Sequence, residues 1–281
     1  MTLSNASTDG SSAAAFTDVP GQIARMGRER GDHPAIIYKG ERTSWRDFAR
    51  HVDQVANALI GMGIKPEDKV AVLASTSLAY AEMFVGALRA GACVVPLSGM
   101  ASAEQLEVMI NDSDSRVLMI SENMRNLLAS DGQNFPNMIQ NGLIAADFEA
   151  DGWQNFTAWR DAADDADPEI EIKPDYGFNI IYSSGTTGVP KGIQQNHDMR
   201  AFHVERFGVS GIDENTISLV STPFYSNTTL VVALPTLAWG GTVVLMEKFK
   251  ADEFLRLSEA EKVNTAMLVP VQYQRVLDHE D

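Results

Sequence analysis

The chain is short of the residues that disulfide scaffolds and metal clusters need. Its 281 residues include one cysteine and five histidines. A single cysteine allows no internal disulfide and no cysteine metal cluster. Inside the apolar run ACVVPL at 92–97, Cys93 reads as a buried, reduced thiol. Only His197 and His203 are close together, and their spacing does not put both on one helical face. No metal site follows, and a surface or capping role is expected for each. Basic residues are also scarce: Lys and Arg number 22 against 38 Asp and Glu, a formal net charge of −16. That excludes broad contact with nucleic acid or anionic lipid, which needs basic patches. Any phosphate site must be built locally, from backbone N–H groups and a few cations. Long apolar runs are missing too. The longest, TLVVALPTLAW at 229–239, is too short to span a bilayer and is broken by Pro235. The start, MTLSNASTDGSSAAAF, lacks the basic and apolar regions of a secretory signal. These absences describe a reduced, soluble, cytoplasmic protein with a flexible tail over 1–15.

What is present is ordinary for a globular chain: 44% hydrophobic and 21% charged residues, without excess Gly or Pro. The length suits one large domain or two smaller ones. Short β-branched runs alternate with helical patterns. At 43–63 apolar residues fall at Trp45, Phe48, Val52, Val55, Ala56 and Leu59, spacings of three and four that predict an amphipathic helix opened by a Ser or Thr cap. Strand-like runs at 70–74, 93–97 and 116–120 alternate with helical patterns at 78–91 and 102–112. The stretch 130–174 is polar, acidic and weakly periodic. It reads as a connection carrying a short helix near 156–161 and a solvated acidic loop at 164–167. Beyond 176 the alternation resumes, with helices expected at 198–208, 227–240, 251–262 and 270–278 and strands at 216–221, 242–246 and 265–269. The pattern predicts an α/β fold of mostly parallel sheets flanked by helices. Two subdomains are expected, 16–175 and 176–281.

The most informative stretch is YSSGTTGVPKG at 182–192, preceded by the strand-like FNII. Gly185 and Gly188 can adopt positive φ or let a ligand approach the backbone. Ser183, Ser184, Thr186 and Thr187 supply hydroxyls, and Lys191 adds a cation with three donors. Consecutive N–H groups in such a turn form an anion-binding nest. The alternative is a Ser/Gly turn with no ligand. Two familiar phosphate motifs are excluded. A Walker loop needs Gly before the Lys and Ser or Thr after it, where this chain has Pro190 and Gly192. A Rossmann fingerprint fails at GMGIKP, 61–66, where Pro66 stands for the third Gly. No G-x-S-x-G nucleophile elbow occurs either.

The loop resembles the signature [ST]-S-G-[ST]-T-G-x-P-K-G of the adenylate-forming enzymes, which include acyl-CoA synthetases, luciferases and the adenylation domains of peptide synthetases. LRAGACVVPLSG at 88–99, TSWRDF at 43–48 and TPFYSN at 222–227 resemble further segments of the same family. The resemblance covers roughly residue 16 to the end. It implies the N-terminal large-domain portion of that fold, with two half-reactions. A carboxylate attacks the α-phosphorus of ATP with Mg2+, giving an acyl-adenylate and pyrophosphate; a thiol, usually that of coenzyme A, then displaces AMP. It further implies that Ser183, Ser184, Gly185, Thr186, Thr187, Gly188 and Lys191 hold the ATP phosphates, with the Thr187 hydroxyl near Mg2+. Tyr225, Ser226 and Asn227 are the acyl-pocket candidates.

Two departures from the family pattern stand out. Ser226 falls where a pocket His is usual, and a helix cap at Ser226 or Asn227 is the plain alternative. Amino-acid-activating members carry Asp just after the Phe where this chain has Tyr225, so a carboxylic acid without an α-ammonium is expected. TLVVALPTLAW is compatible with an acyl or aryl pocket or with plain core packing. The family's later motifs, for adenine, ribose, the hinge and the catalytic Lys, are not found. The chain is therefore expected to be inactive by itself, the activity belonging to a longer parent. The rival expectation is a catalytically incompetent module that binds nucleotide or pyrophosphate, or a packing scaffold. A sheet edge or apolar face left uncovered would favour association with other copies.

Overall fold

The structure, a computed structural model, describes residues 16–128, 135–183 and 190–279. Helix α1 (Val19–Arg30) leads into a hairpin of β1 (Pro34–Tyr38) and β2 (Glu41–Ser44), then α2 (Trp45–Gly61). Next come β3 (Lys69–Leu73), α3 (Leu78–Arg89), β4 (Cys93–Pro96), α4 (Ala103–Asp112), β5 (Ser115–Ile120) and the single turn α5 (Glu122–Arg125). The acidic connection carries β6 (Leu143–Ala145), β7 (Gln154–Asn155) and α6 (Phe156–Asp161). Then follow β8 (Gly177–Ser183), β9 (Lys191–Asn196), α7 (His197–Val209), β10 (Ile217–Val220), α8 (Asn227–Ala238) and β11 (Thr242–Leu245). The last elements are α9 (Ala251–Ala260), β12 (Thr265–Ala266) and α10 (Pro270–Leu277).

Among the described residues these strands form a seven-stranded sheet, β7-β6-β5-β3-β4-β8-β9, and a five-stranded sheet, β12-β10-β11-β1-β2. All neighbours are parallel except the hairpins β8–β9 and β1–β2. This is the α/β class that the alternating pattern predicts. The expected division at 175/176 does not follow the sheets. Strand β1 pairs with β11 through Ile36–Val243 and Ile37–Val244, and β8 pairs with β4 through Asn179–Val94. The reason is burial. Ile36 and Ile37 are both buried, on opposite faces of the strand, so β1 needs cover on both sides and is placed inside a sheet. The acidic connection is also more ordered than its composition suggests. Its apolar Leu143–Ala145 is buried and extends the larger sheet beside β5.

Local chemistry sets the helix starts. Ser44 caps α2, Ser77 caps α3, and Ser102 with Gln105 closes a reciprocal capping box on α4. Helices α1, α2, α3, α7 and α8 lie between the two sheets and build the main core. Helix α8 is buried along nearly its whole length, so the run 229–239 is core packing. A buried ionic cluster ties α2, α3 and α6 together. The Glu82 carboxylate is 2.6 Å from His51 Nδ1 and accepts from Arg160 Nη1 at 2.5 Å. Cys93 is buried, and burial pushes its thiol up to about 12. No helix among the described residues is long and apolar enough to cross a membrane.

Candidate functional site

Strand β8 carries FNII on to Ser183. KGIQQN returns antiparallel as β9, which sequence reasoning did not identify because it holds one apolar residue. The register sets Ser183 opposite Lys191 and Tyr182 opposite Gly192. A side chain at position 192 would meet Tyr182 Cζ at 3.1 Å and Ile180 Cγ2 at 2.9 Å, which explains the glycine. Ser183 and Lys191 are both exposed at the loop end of this hairpin. Ser184, Gly185, Thr186, Thr187 and Gly188 lie outside the described residues.

Beside the loop end of the hairpin is a cavity of about 330 Å³, at the carboxyl ends of the parallel strands β4 and β8. It is lined by Pro96, Ser98, Met109, Tyr182, Ser183, Pro190 and Tyr225, among others. Tyr182 Oη donates to Asp112 Oδ2 at 2.6 Å. Burial, and then the nearby Asp112, hold the Tyr182 phenol above its usual range. Tyr225 is therefore the acyl candidate that reaches the cavity. Ser226 Oγ instead accepts from the Thr228 N–H at 3.2 Å and caps α8. Asn227, the first residue of α8, turns its Oδ1 toward Arg200 Nη2 at 2.8 Å.

Arg200 belongs to a buried cluster that the sequence reading missed. A bulge in β8 between Gly177 and Asn179 puts Phe178 and Asn179 on one side of the hairpin. There Asn179 Oδ1 accepts from Arg200 Nε at 3.2 Å and Nη2 at 3.0 Å, and Gln195 Oε1 accepts from Nη2. The guanidinium sits 5.7 Å from the Phe178 ring centroid. Burial lowers its pKa to about 10. His197 packs edge-on against Phe178 with centroids 4.9 Å apart. It is fully buried, not at the surface as its position suggested, because α7 lays its first turn under the larger sheet. Burial pushes its pKa down to about 4, so the ring is neutral. The only sequence signal for this cluster is a charged residue at a position where the helical pattern alone gives no direction. Among the described residues, no group of three or more His, Cys, Asp or Glu could hold a metal ion.

The model of the AMP-binding enzyme family matches residues 23–281. A feruloyl-CoA synthase from Amycolatopsis sp is 28% identical over 247 residues, covering 87% of this chain and 47% of that protein. The fatty acid–[acyl-carrier-protein] ligase ScoC from Streptomyces coeruleorubidus is 27% identical over 252 residues, covering 87% of this chain and 46% of that protein. The chain thus spans about half the length of these curated relatives. Among solved structures, the N-terminal domain of FACL13 from Mycobacterium tuberculosis superposes with a TM-score of 0.81 at 20% identity, over 93% of this chain and 65% of that one. The anthranilate CoA ligase AuaEII in complex with anthranoyl-AMP gives 0.86 at 22% identity, over 95% of this chain and 52% of that one. With the signature loop between two paired strands and the family model matching residues 23–281 of the chain, the chain belongs to the AMP-binding enzyme family and matches the N-terminal part of its acyl-CoA synthetase-type members.

Proposed function

We propose that the whole protein activates a carboxylic acid lacking an α-ammonium as an acyl-adenylate, and passes the acyl group to a thiol, that of coenzyme A. The observation that carries this reading is the loop end of the β8–β9 hairpin. Ser183 and Lys191 stand opposite one another across β8–β9, next to a cavity whose lining includes Tyr225. A lysine ammonium and a hydroxyl held together there suit the phosphates of ATP. Ser184, Gly185, Thr186, Thr187 and Gly188 complete the cradle in this proposal. Mg2+ enters on the nucleotide in this proposal, bound through its phosphates. Thr187 is the proposed hydroxyl beside it. Tyr225 and the cavity next to it take the acid. Charge neutralisation and positioning are what this half supplies to the phosphoryl step.

Titrating magnesium pyrophosphate into the 281-residue chain tests the phosphate role. Lys191→Ala is expected to weaken binding about 10- to 100-fold, the loss of one charge-assisted contact. Equal binding by both proteins overturns the role. The second reading is a binding module without ligase activity. ATP–pyrophosphate exchange with a panel of carboxylic acids separates the two: exchange above background excludes the passive module.

A further inference from the structure

Arg200 joins three elements, β8, β9 and α8. Asn196 caps α7 directly behind β9, its Oδ1 accepting from the Met199 N–H at 2.9 Å, so no loop separates strand from helix. Helical side chains slant toward the helix N-terminus, and Arg200, one turn in, reaches back to the base of the hairpin. It is 1% exposed. Asn179 on β8 accepts from Nε at 3.2 Å and from Nη2 at 3.0 Å. Gln195 on β9 also accepts from Nη2, as does Asn227 at the start of α8, at 2.8 Å. All three acceptors are neutral carboxamides. What the guanidinium gives them is a rigid planar fork and charge-assisted bonds, stronger than neutral ones.

Each tie matters because of what lies beyond it. Among the described residues β9 is the last strand of the larger sheet, with β8 as its one neighbour, and Lys191 to Gln194 are exposed. Side-chain packing therefore does little to fix β9, and Gln195 holds its base. Strand β9 runs about 13 Å from Gln195 to Lys191. A twist at the base is carried along the paired strands to Ser183 and Lys191 at the loop end. On the α8 side, Phe224 is stacked on Tyr80 with ring centroids 4.9 Å apart, and Asn227 is tied to Arg200. Tyr225, which lines the cavity, sits between those two anchors.

We infer that Arg200 is a positioning residue for the proposed site. It touches neither ligand. Through the hairpin it fixes Ser183 and Lys191 relative to Tyr225 at the start of α8. The inference rests on the acid-activating reading of that site, and adds the residue that holds its phosphate half and its acid half in register. Adenylate formation needs that register, because attack is productive only when the reacting atoms approach to about 3–3.5 Å.

A double-mutant cycle on magnesium pyrophosphate binding to the 281-residue chain tests this. Arg200→Met is expected to weaken binding about tenfold although Arg200 touches no phosphate. Lys191→Ala, which should cost about 10- to 100-fold in the wild type, is expected to cost less than about threefold in Arg200→Met, its ammonium being already out of place. Sites more than about 10 Å apart without shared partners ordinarily act additively, so a residue that only stabilises the fold would leave the Lys191 effect whole. Arg200→Lys keeps the charge, loses the fork, and is expected to resemble Arg200→Met. Unchanged binding in Arg200→Met, an undiminished Lys191 effect in that background, or full rescue by Arg200→Lys overturns the inference. Gln195→Ala, which cuts the β9 tie alone, carries the same cycle should Arg200→Met not fold. Hydrogen exchange reads the acid half without any ligand. The Thr229 and Leu230 amides close the first turn of α8 on the Ser226 carbonyl. In Arg200→Met they are expected to exchange about tenfold faster, with the α3 amides unchanged. Equal protection there confines Arg200 to the hairpin and overturns the register. If Lys191→Ala binds as well as the wild type, the phosphate role itself falls, and exchange at β9 and α8 then decides whether Arg200 holds the two segments together.

Discussion

His197 shows how burial turns an ordinary side chain into a pH-dependent liability. Its ring is packed against Phe178 with no polar partner among the described residues, and its pKa falls to about 4 from an ordinary 6.5. Between those values the unfolded chain binds a proton that the folded chain refuses. Stability from this residue is therefore whole above pH 6.5 and is lost as pH falls toward 4, by up to about 1.4 kcal/mol per unit. Asp53 acts in the opposite sense in nearly the same window. Burial raises its carboxyl to about 6, against the pull of Arg89, so the folded state holds its proton longer. That contribution is lost as pH rises from 3.8 through 6. The two slopes offset each other in the wild type. His197→Phe removes one of them. Urea titrations are expected to show the variant gaining on the wild type steadily from pH 6.5 to 4.5, with a constant gap above pH 7. A gap equal at pH 4.5 and 7.5 would refute the assignment. Glu82 is the other costly buried charge. Glu82→Gln leaves the Arg160 and His51 contacts without their anion, and a loss of about 3–5 kcal/mol is expected in the same measurement. The exposed pair Arg46–Asp32 should change stability by about 0–1 kcal/mol when broken.

Helix α3 sets propensity against packing. Gly86 costs α3 about 1 kcal/mol of intrinsic helix propensity relative to alanine. A methyl group there would meet Val55 Cβ and Cγ1 at 2.5 Å and the Val52 carbonyl at 3.0 Å. Two helices at such close approach cannot yield without moving backbone, and overpacking typically costs about 1–3 kcal/mol. Gly86→Ala is accordingly expected to lower the urea midpoint despite its better propensity; a raised midpoint would show that α2 can slide. The helices with Ser caps and three–four spacing were legible in the sequence because both signals are local. Strands β6, β7 and β9 were not. They have few apolar residues or are very short, and what makes them strands is a partner outside their own stretch: Leu118 for Leu143, Ile144 for Gln154, Ile181 for Ile193. The phosphate loop was legible as a type because its residue pattern is dense and ordered. Arg200 was not, since a charged residue in a helical pattern reads as solvent-facing until the hairpin is laid over it.

The two sheets are stitched together by strands that come from opposite ends of the sequence. Residues 34–44 supply β1 and β2 to the smaller sheet, whose other strands all lie beyond 216, while β8 and β9 close one edge of the larger sheet. Helices α1 and α8 are joined across the same divide, with Gln22 Nε2 donating to the Ala238 carbonyl at 2.8 Å. Cutting at 175/176 would therefore strip β11 of its β1 partner and leave β8 without β4. The face of α8 packed on α1 would be exposed as well. A chain of residues 176–281 is expected to lack a cooperative urea transition by circular dichroism. The 281-residue chain is expected to unfold in a single transition, seen alike by circular dichroism and by tryptophan fluorescence, because buried Trp45 reports α2 in the main core and Trp239, partly exposed, reports the end of α8 packed on that core. Two separated transitions, or cooperative folding of 176–281 alone, would mean that the sheets are independent units and that the shared strands contribute less than their burial implies.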